Sequence, residues 1–537
     1  MPHLPLWAAA LLTAQTALTY PTTSSSNAIK LDIPGSASGA SIAHDPSFGS
    51  FSFEPAFWVE FFGNLSTPNP LVFRLLDRIH EHGGRPIIRP GGITMDSMIF
   101  DPTASDPVRT TNPSGGVYRT TVGPAYYQSW ANFPSGTKFV STLNFGNNSL
   151  PIARDLAVAS AQYAPRDTLS LFELGNEPTN YPTSRWNRST EAYVSQWQEW
   201  TRAIDAAVNA TSNTSLPSER WFASSATTDQ SGLEVRPVDL IPAGIDDFDQ
   251  VADYSIHSYP FSTCDPARAA RATIANILNH TELVRYADEE IYPSAKAALD
   301  AGSRWVIGEF NSVSCSGAPN VTDTFAQALW VIDTYLIYAS RNASAVYLHQ
   351  GATLVFQSAD QTNAPSPDGK PGFSTYSMVF PIDTVLRGPA RALPSFLGQL
   401  FMAEAFGVEG TKVREVELSD GVNAERFAAY AFYEQEKLEK LALVNTNPFY
   451  ANSTEDGTVS LDVSGYCEGG KVWVKRLTAP AVNEKDSTKT TWAGQSFPQG
   501  DAVGETVLEQ VEDGVVSVRG SEAVLVFFDE AEANSVS

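Results

Sequence analysis

Positive charge is scarce in this chain. Thirty-five Lys and Arg stand against 60 Asp and Glu over 537 residues, a formal net charge of −25. A surface of that sign repels nucleic acid and anionic bilayers, so neither is an expected partner. Beyond the first 18 residues no apolar run is long enough to span a bilayer. Only three cysteines occur, too few to frame a disulfide-stapled mini-domain. Among the histidines, His80 and His82 stand two apart on a helical pattern, so their rings face apart and make no metal site. Neither a phosphate-cradling glycine loop nor a Gly-x-Ser-x-Gly elbow is found. No metal or organic cofactor is implied.

What is present is globular. Hydrophobic residues make up 42% and aromatics 11%, which excludes disorder, and the length favours two domains. Residues 4–18 are rich in Ala and Leu, and small residues Ala17 and Thr19 precede Tyr20; residues 1–19 read as a signal peptide. Nine Asn-x-Ser/Thr sequons, from Asn64 to Asn452, point the same way, toward a secreted, extracellular glycoprotein. Residues 20–45 read as a leader followed by a half-buried strand at Ile29–Ile33, where Ile and Leu alternate with Lys30 and Asp32.

From there apolar strands alternate with helical stretches. Strands are expected at Ala56–Phe61, Arg85–Arg89, Lys138–Phe145, Leu169–Glu177, Trp221–Thr228, Ala252–Tyr259, Arg304–Asn311 and Ala345–Gln350. Eight strands, most followed by a helix, predict an α/β fold, a (β/α)8 TIM barrel over 46–408. Residues 352–392 form a long Pro-, Gly-, Ser- and Asp-rich loop that would hang over the barrel mouth. After it comes a helix at Pro394–Phe406. From 409 to 537 short strands separated by turns predict a C-terminal antiparallel β-sandwich, which also takes the N-terminal strand because a closed barrel has no edge to receive it.

Two stretches carry the chemistry. Leu171-Phe172-Glu173-Leu174-Gly175-Asn176-Glu177-Pro178 delivers Glu177 to a strand tip, and Arg304-Trp305-Val306-Ile307-Gly308-Glu309 delivers Glu309 to another. Proline ends the first strand because it cannot donate to a ladder. Two carboxylates meeting over one barrel are what glycoside hydrolysis requires, and about 5–5.5 Å between them gives retention through a covalent intermediate. Glu177 is then the acid/base and Glu309 the nucleophile. Asn176 would bond the sugar 2-hydroxyl, and Tyr259 would hold Glu309 in line. Glu173, four residues before Glu177, is expected to point into the barrel and pair with Arg89. Cys264 and Cys315 follow neighbouring strands, so a disulfide between them is geometrically reasonable, leaving Cys467 as a buried thiol.

Several motifs resemble glycoside hydrolase family 79, the heparanase and β-glucuronidase family, and secreted fungal members in particular. They are Phe51-Ser52-Phe53-Glu54, Arg89-Pro90-Gly91-Gly92 through Asp96, Glu173 to Pro178, His257-Ser258-Tyr259, Gly308-Glu309 and His349-Gln350-Gly351. The resemblance implies a catalytic barrel with a β-sandwich, Glu177 as proton donor and Glu309 as nucleophile. It also implies that Glu54, Asn176, Tyr259 and Gln350 contact sugar or position the nucleophile. Two departures stand out. Where the family carries a tyrosine contacting the uronate carboxylate, Leu393-Pro394-Ser395-Phe396 offers a phenylalanine, and the loop after Glu309 lacks the heparanase tyrosine and glycines. Ser314, Ser316 or Tyr376 could stand in.

The expected activity is that of a retaining exo-β-glycosidase, a β-glucuronidase acting as a monomer on uronic-acid-containing glycans or glycosides. Endo-cleavage of a sulfated polyanion conflicts with the negative net charge. The rivals are an exo-β-glycosidase for another sugar and a carbohydrate-binding protein without turnover.

Overall fold

Gly49-Ser50-Phe51-Ser52-Phe53 alternates small polar residues with phenylalanine, the period of a strand, and it forms the first barrel strand. The expected strand at 56–61 is instead a 3-10 turn, Pro55–Phe57, running into a short helix, Trp58–Phe62. Pro55 opens that turn, and Trp58 and Phe62 meet one helical turn apart with ring centroids at 4.4 Å. An unbroken apolar run carries no period, so its helical state was not readable.

The computed structural model describes residues 28–111, 119–211, 216–228, 232–353 and 366–534. The expected signal peptide at 1–19, the expected leader to 27 and the middle of the expected 352–392 loop lie outside the described residues. The barrel strands are β1 (Gly49–Phe53), β2 (Ile88–Pro90), β3 (Phe139–Leu143), β4 (Leu169–Leu174), β5 (Trp221–Thr227), β6 (Val251–Ser258), β7 (Arg304–Phe310) and β8 (Val346–Gln350). Each pairs in parallel with its successor, and β8 returns to β1 through Val346↔Gly49 to Gln350↔Phe53, closing the sheet. Val140, Phe222, Val306 and Tyr347 form a separate apolar cluster from four of these strands or their margins, filling the barrel floor. Above it come polar and charged side chains, among them Ser52, Arg89, Thr142, Glu173, His257 and His349, all buried.

The connections hold surprises for a reader of the sequence. Between β2 and β3 lies a small three-stranded sheet of Met98–Phe100, Val108–Thr111 and Arg119–Val122. A helix at Leu150–Tyr163, opened by Pro151, covers β3 and β4. Between β6 and β7 the chain forms three short helices in succession, Pro266–Arg271, Ile274–Ile277 and His280–Tyr286. Side chains of Asp265, Thr273 and Asn279 cap each one afresh.

Two sheets make the C-terminal unit. The larger runs in the order Lys412–Glu415, Phe427–Glu434, Lys437–Asn445, Glu522–Phe527, Val472–Thr478 and Thr491–Trp492, with Glu509–Val511 also paired to the fifth. The smaller holds Val459–Asp462, Val515–Val518 and the N-terminal Ile29–Lys30, the last paired in parallel with Leu461 and Asp462. Alternation along the larger sheet divides its faces. Phe427, Ala429, Ala431 and Tyr433 join Leu31, Leu461 and Val516 inside the sandwich, whereas Ala428, Tyr430 and Phe432 join the barrel's core. Lys475 of this sheet pairs with Glu404 of the helix Ser395–Ala405, both buried, which ties the sandwich to the barrel. Cys467 is free and half-buried rather than fully buried, directly following the 3-10 turn Ser464–Tyr466.

Candidate active site

Over the carboxyl ends of the strands lies a cavity of about 300 Å³. Glu177, Glu309, Asn176, Tyr259, Glu54, Ser314, Ser316, His349 and Tyr376 all face it. The two glutamates therefore share one pocket, and an oxygen of each lies within 4.8 Å of the other and of a His257 nitrogen.

Each glutamate is held by different means. β4 ends at Leu174, after which Gly175 (φ 83) and Glu177 (φ 48) both take left-handed backbone. Proline at 178 then starts a single 3-10 turn, and Asn180 within it donates from Nδ2 to Glu177 Oε2 at 2.9 Å. His257 lies between Glu177 Oε1, 3.2 Å from its Nδ1, and the guanidinium of Arg89, 3.5 Å from its Nε2. Guanidinium offers only donors, so Nε2 is the acceptor and the Nδ1 proton points at Glu177.

Glu309 sits near the end of β7. Tyr259 donates its hydroxyl to Oε1 at 2.8 Å, and Arg89 donates to Oε2 at 3.0 Å. Burial pushes the Glu309 carboxyl up, but His349, His257, Arg89 and the tyrosine hydroxyl together outweigh it and hold it well below the usual carboxylate range. Glu309 is ionised at any ordinary pH. Burial pulls the His349 imidazole down, yet Glu309 and Glu54 on either side raise it above its ordinary value.

Arg89 is the hub beneath both. Its Nε meets Glu173 Oε2 at 2.6 Å, with neither side chain exposed, and its terminal nitrogens reach Ser52, Glu309 and the Asn176 carbonyl. Glu173 takes further bonds from Thr142 and Ser225, so it is fully engaged inside the barrel and does not face the pocket. With the Asn176 oxygen held by Arg89, its amide NH2 is left for a ligand hydroxyl.

Glu54 accepts bonds from the amides of Ile93 and Thr94 and from the Thr94 hydroxyl, and it lies on the pocket wall beside His349. Gln350 does not line the pocket. Its NH2 donates to His349 O and its carbonyl accepts from Met378 N, so the side chain instead clasps the returning end of the long loop. Cys264 and Cys315 form a disulfide with Cα atoms 5.9 Å apart, beside the short parallel ladder of Phe261–Ser262 with Val313–Ser314. That ladder carries Ser314 and Ser316 to the rim. Phe396 is fully buried against Phe497 and away from the pocket, so the phenylalanine there removes nothing from the site. Tyr376, from the same long loop, faces the cavity.

Sequence reasoning named His349 only within a motif and gave it no role, and it passed over Asn180 and the bond from His257 to Glu177. The histidines ended strands and the asparagine lay one turn past a strand tip, which was the only available signal. Glu177, His257 and Glu309 are the one group among the described residues whose ligand atoms cluster as a metal site would require. Arg89 already places a cation against two of the three, which disfavours a second.

Comparisons with known proteins agree with this architecture. Residues 429–525 match the model of the glycosyl hydrolase family 79 C-terminal beta domain. Residues 151–348, which include both glutamates, match that of cellulase, glycosyl hydrolase family 5. A beta-glucuronidase of Aspergillus niger is 28% identical, over 98% of this chain and 97% of its own length. One of Neurospora crassa is 25% identical over 84% of each chain. Among solved structures, a 4-O-α-L-rhamnosyl-β-D-glucuronidase from Fusarium oxysporum superposes with a TM-score of 0.75 at 22% identity, covering 93% of this chain and 100% of that one. A family 51 α-L-arabinofuranosidase from Bifidobacterium longum shares the fold more distantly, at a TM-score of 0.57 and 17% identity over 91% of this chain and 97% of its own.

Proposed function

The chain belongs to glycoside hydrolase family 79, and from that premise we propose that it is a secreted, retaining, exo-acting β-glucuronidase. It releases terminal β-linked glucuronic acid, or the 4-O-methyl form, from glycans or glycosides. The observation that carries the reading is the pair of glutamate oxygens within 4.8 Å over one barrel mouth. Retaining enzymes keep their carboxyl groups about 5–5.5 Å apart, and inverting ones leave about 6.5–9.5 Å for a water.

In the first step Glu309 attacks the anomeric carbon while Glu177 gives its proton to the departing oxygen. The glycosyl–Glu309 ester forms and the aglycone leaves. Glu177, now a carboxylate, then takes a proton from water, which attacks the same carbon and frees Glu309. His257 and Asn180 keep Glu177 turned toward the bond, and Tyr259 with Arg89 aims Glu309. A cavity of about 300 Å³ is at the small end of ligand sites, which supports release of one sugar from a chain end. Ser314, Ser316 and Tyr376 offer hydroxyl donors for the uronate carboxylate.

One observation favours a rival sugar. No Lys or Arg faces the cavity among the described residues, while three carboxylates do. A neutral β-glycoside would avoid that repulsion. A panel of 4-nitrophenyl β-glycosides decides: glucuronide should lead glucoside, xyloside and galactoside, and parity with the neutral sugars would overturn the uronate assignment. Proton NMR of the first-formed product tests the mechanism, the β-anomer being expected and the α-anomer refuting it. Glu309→Gln should lower kcat by several orders of magnitude. Undiminished hydrolysis in that variant would remove the nucleophile.

A further inference from the structure

The turn that presents Glu177 is unusual backbone. Gly175 and Glu177 both lie in the left-handed region, and for a glutamate that conformation is strained and persists only where its surroundings enforce it. Three successive amides show how it is enforced. Gly175 N donates to Leu143 O of β3 at 2.8 Å, and Glu177 N donates to Ser225 O of β5 at 3.0 Å. The middle amide reaches no strand. Asn176 N donates at 3.2 Å to the hydroxyl of Tyr181, which in turn donates to Asp96 Oδ1 at 2.6 Å. The same Asp96 oxygen accepts from Gly146 N at 3.1 Å.

One carboxylate thus ties the loops after β2, β3 and β4 to the middle of the turn. The fit is close. A methyl group on Gly175 would lie 2.6 Å from the Tyr181 hydroxyl, and one on Gly146 would lie 2.5 Å from Asp96 Cβ. Tyr181 is itself clamped. Its ring stacks on Trp186 at 5.9 Å, and the Arg185 guanidinium lies 5.2 Å from its centroid. Neither Tyr181 nor Asp96 faces the cavity, so neither touches a bound sugar.

We infer that Asp96 and Tyr181 are positioning residues for the reaction, a strut that fixes the Gly175–Glu177 turn so that the acid/base carboxyl meets the departing oxygen. Because the hydroxyl accepts from Asn176, its own proton is committed to Asp96, and the three groups hold one another in a single arrangement. The inference rests on the assignment of Glu177 as acid/base.

The test uses aryl β-glucuronides whose leaving groups range from 2,4-dinitrophenol to phenol, with kcat/KM compared in wild type, Glu177→Gln, Tyr181→Phe and Asp96→Asn. That ratio reports the glycosylation step, where a good leaving group needs no proton and a poor one does. Tyr181→Phe should lose about ten-fold or more on the phenyl glucuronide and no more than about two-fold on the dinitrophenyl one. Glu177→Gln should show the same slope more steeply, and Asp96→Asn the same slope more mildly. A purely structural role would depress all substrates alike, and that result, or no loss at all, overturns the strut. Should Tyr181→Phe fail to fold, Asp96→Asn decides by the same comparison. If Glu177→Gln itself shows no leaving-group dependence, the acid/base assignment falls and takes the inference with it. If only the other two variants lack it, the inference falls alone.

Discussion

Arg89→Met would remove the cation on which the barrel interior is balanced. The side chain is wholly enclosed and serves two carboxylates, Glu173 at 2.6 Å and Glu309 at 3.0 Å. Deleting one partner of a buried pair leaves an uncompensated charge and typically costs about 3–5 kcal/mol. Here Glu173 bears most of that cost, because among the described residues no cation other than Arg89 is paired with it. Thr142 and Ser225 still donate to it, which places the expected loss toward the lower figure. Methionine nearly fills the volume, so cavity formation adds little. Urea unfolding of the variant should therefore show a midpoint far below wild type at an unchanged slope. The double variant Arg89→Met/Glu173→Gln should recover most of the loss, since a neutral amide takes the place of the stranded charge. Activity should not return with it. Glu309 loses one of the groups that hold its carboxyl down while burial continues to push it up, so the acid limb of kcat/KM moves to higher pH in both variants. Equal stability of Arg89→Met and wild type would refute the reasoning, as would a double variant no more stable than the single one.

Two further outcomes follow from other parts of the molecule. Tyr376→Phe removes a hydroxyl from the pocket wall and should lower kcat/KM for the glucuronide by about ten-fold or more, the worth of a bond to a charged group, while leaving the slower β-glucoside nearly unchanged. An equal loss on both sugars would show that Tyr376 does not read the carboxylate. At the seam between barrel and sandwich, burial lowers His280, but Asp333 at 2.8 Å and Glu415 at 3.3 Å outweigh it and raise the imidazole to about 10. A raised folded value stabilises fully below the unfolded value of about 6.5 and is lost as pH rises through about 10. The stability difference between wild type and His280→Gln should therefore shrink steadily from pH 6 to pH 10, and a gap that is constant or widens over that range would exclude the charged pair.

How far the sequence disclosed this molecule depended on whether a feature was local. Strands β2 to β8 were legible because each is a short, mostly apolar run closed by Gly, Pro or a small polar residue, and a chain of such runs with helices between them closes into a barrel almost by count. β1 was not, because the longer apolar run beside it drew attention away from Gly49–Phe53, whose alternating serines are the better strand signal. The strands at 98–122 escaped for a different reason: at three or four residues each they are shorter than any window that carries a period. That the N-terminal strand joins the sandwich was anticipated from elimination rather than pattern, since a closed sheet offers no place for a spare strand; its parallel pairing with Leu461–Asp462 was not.

The active site divides along the same line. Glu177 and Glu309 could be found because each stands at a strand tip, and a parallel barrel points every such tip at one mouth. What surrounds them is written in no local pattern. Arg89 looks like the last residue of one strand, yet its donors are divided among Glu173, Glu309, Ser52, Asn176 and Nε2 of His257, on four other strands or their tips. Phe396 and Tyr376 show the cost of reasoning by position along the chain. The helix position that seemed to lack a hydroxyl is buried in the core, and a tyrosine twenty residues earlier faces the pocket instead. A long loop can bring a side chain to the rim from almost any point along it, so its specificity residues follow from where the loop is clasped. Gln350 supplies that clasp, its carbonyl on Met378 N two residues beyond Tyr376 and its NH2 on the end of β8. In the proposed recognition of a uronate, its part is to set where Tyr376 stands.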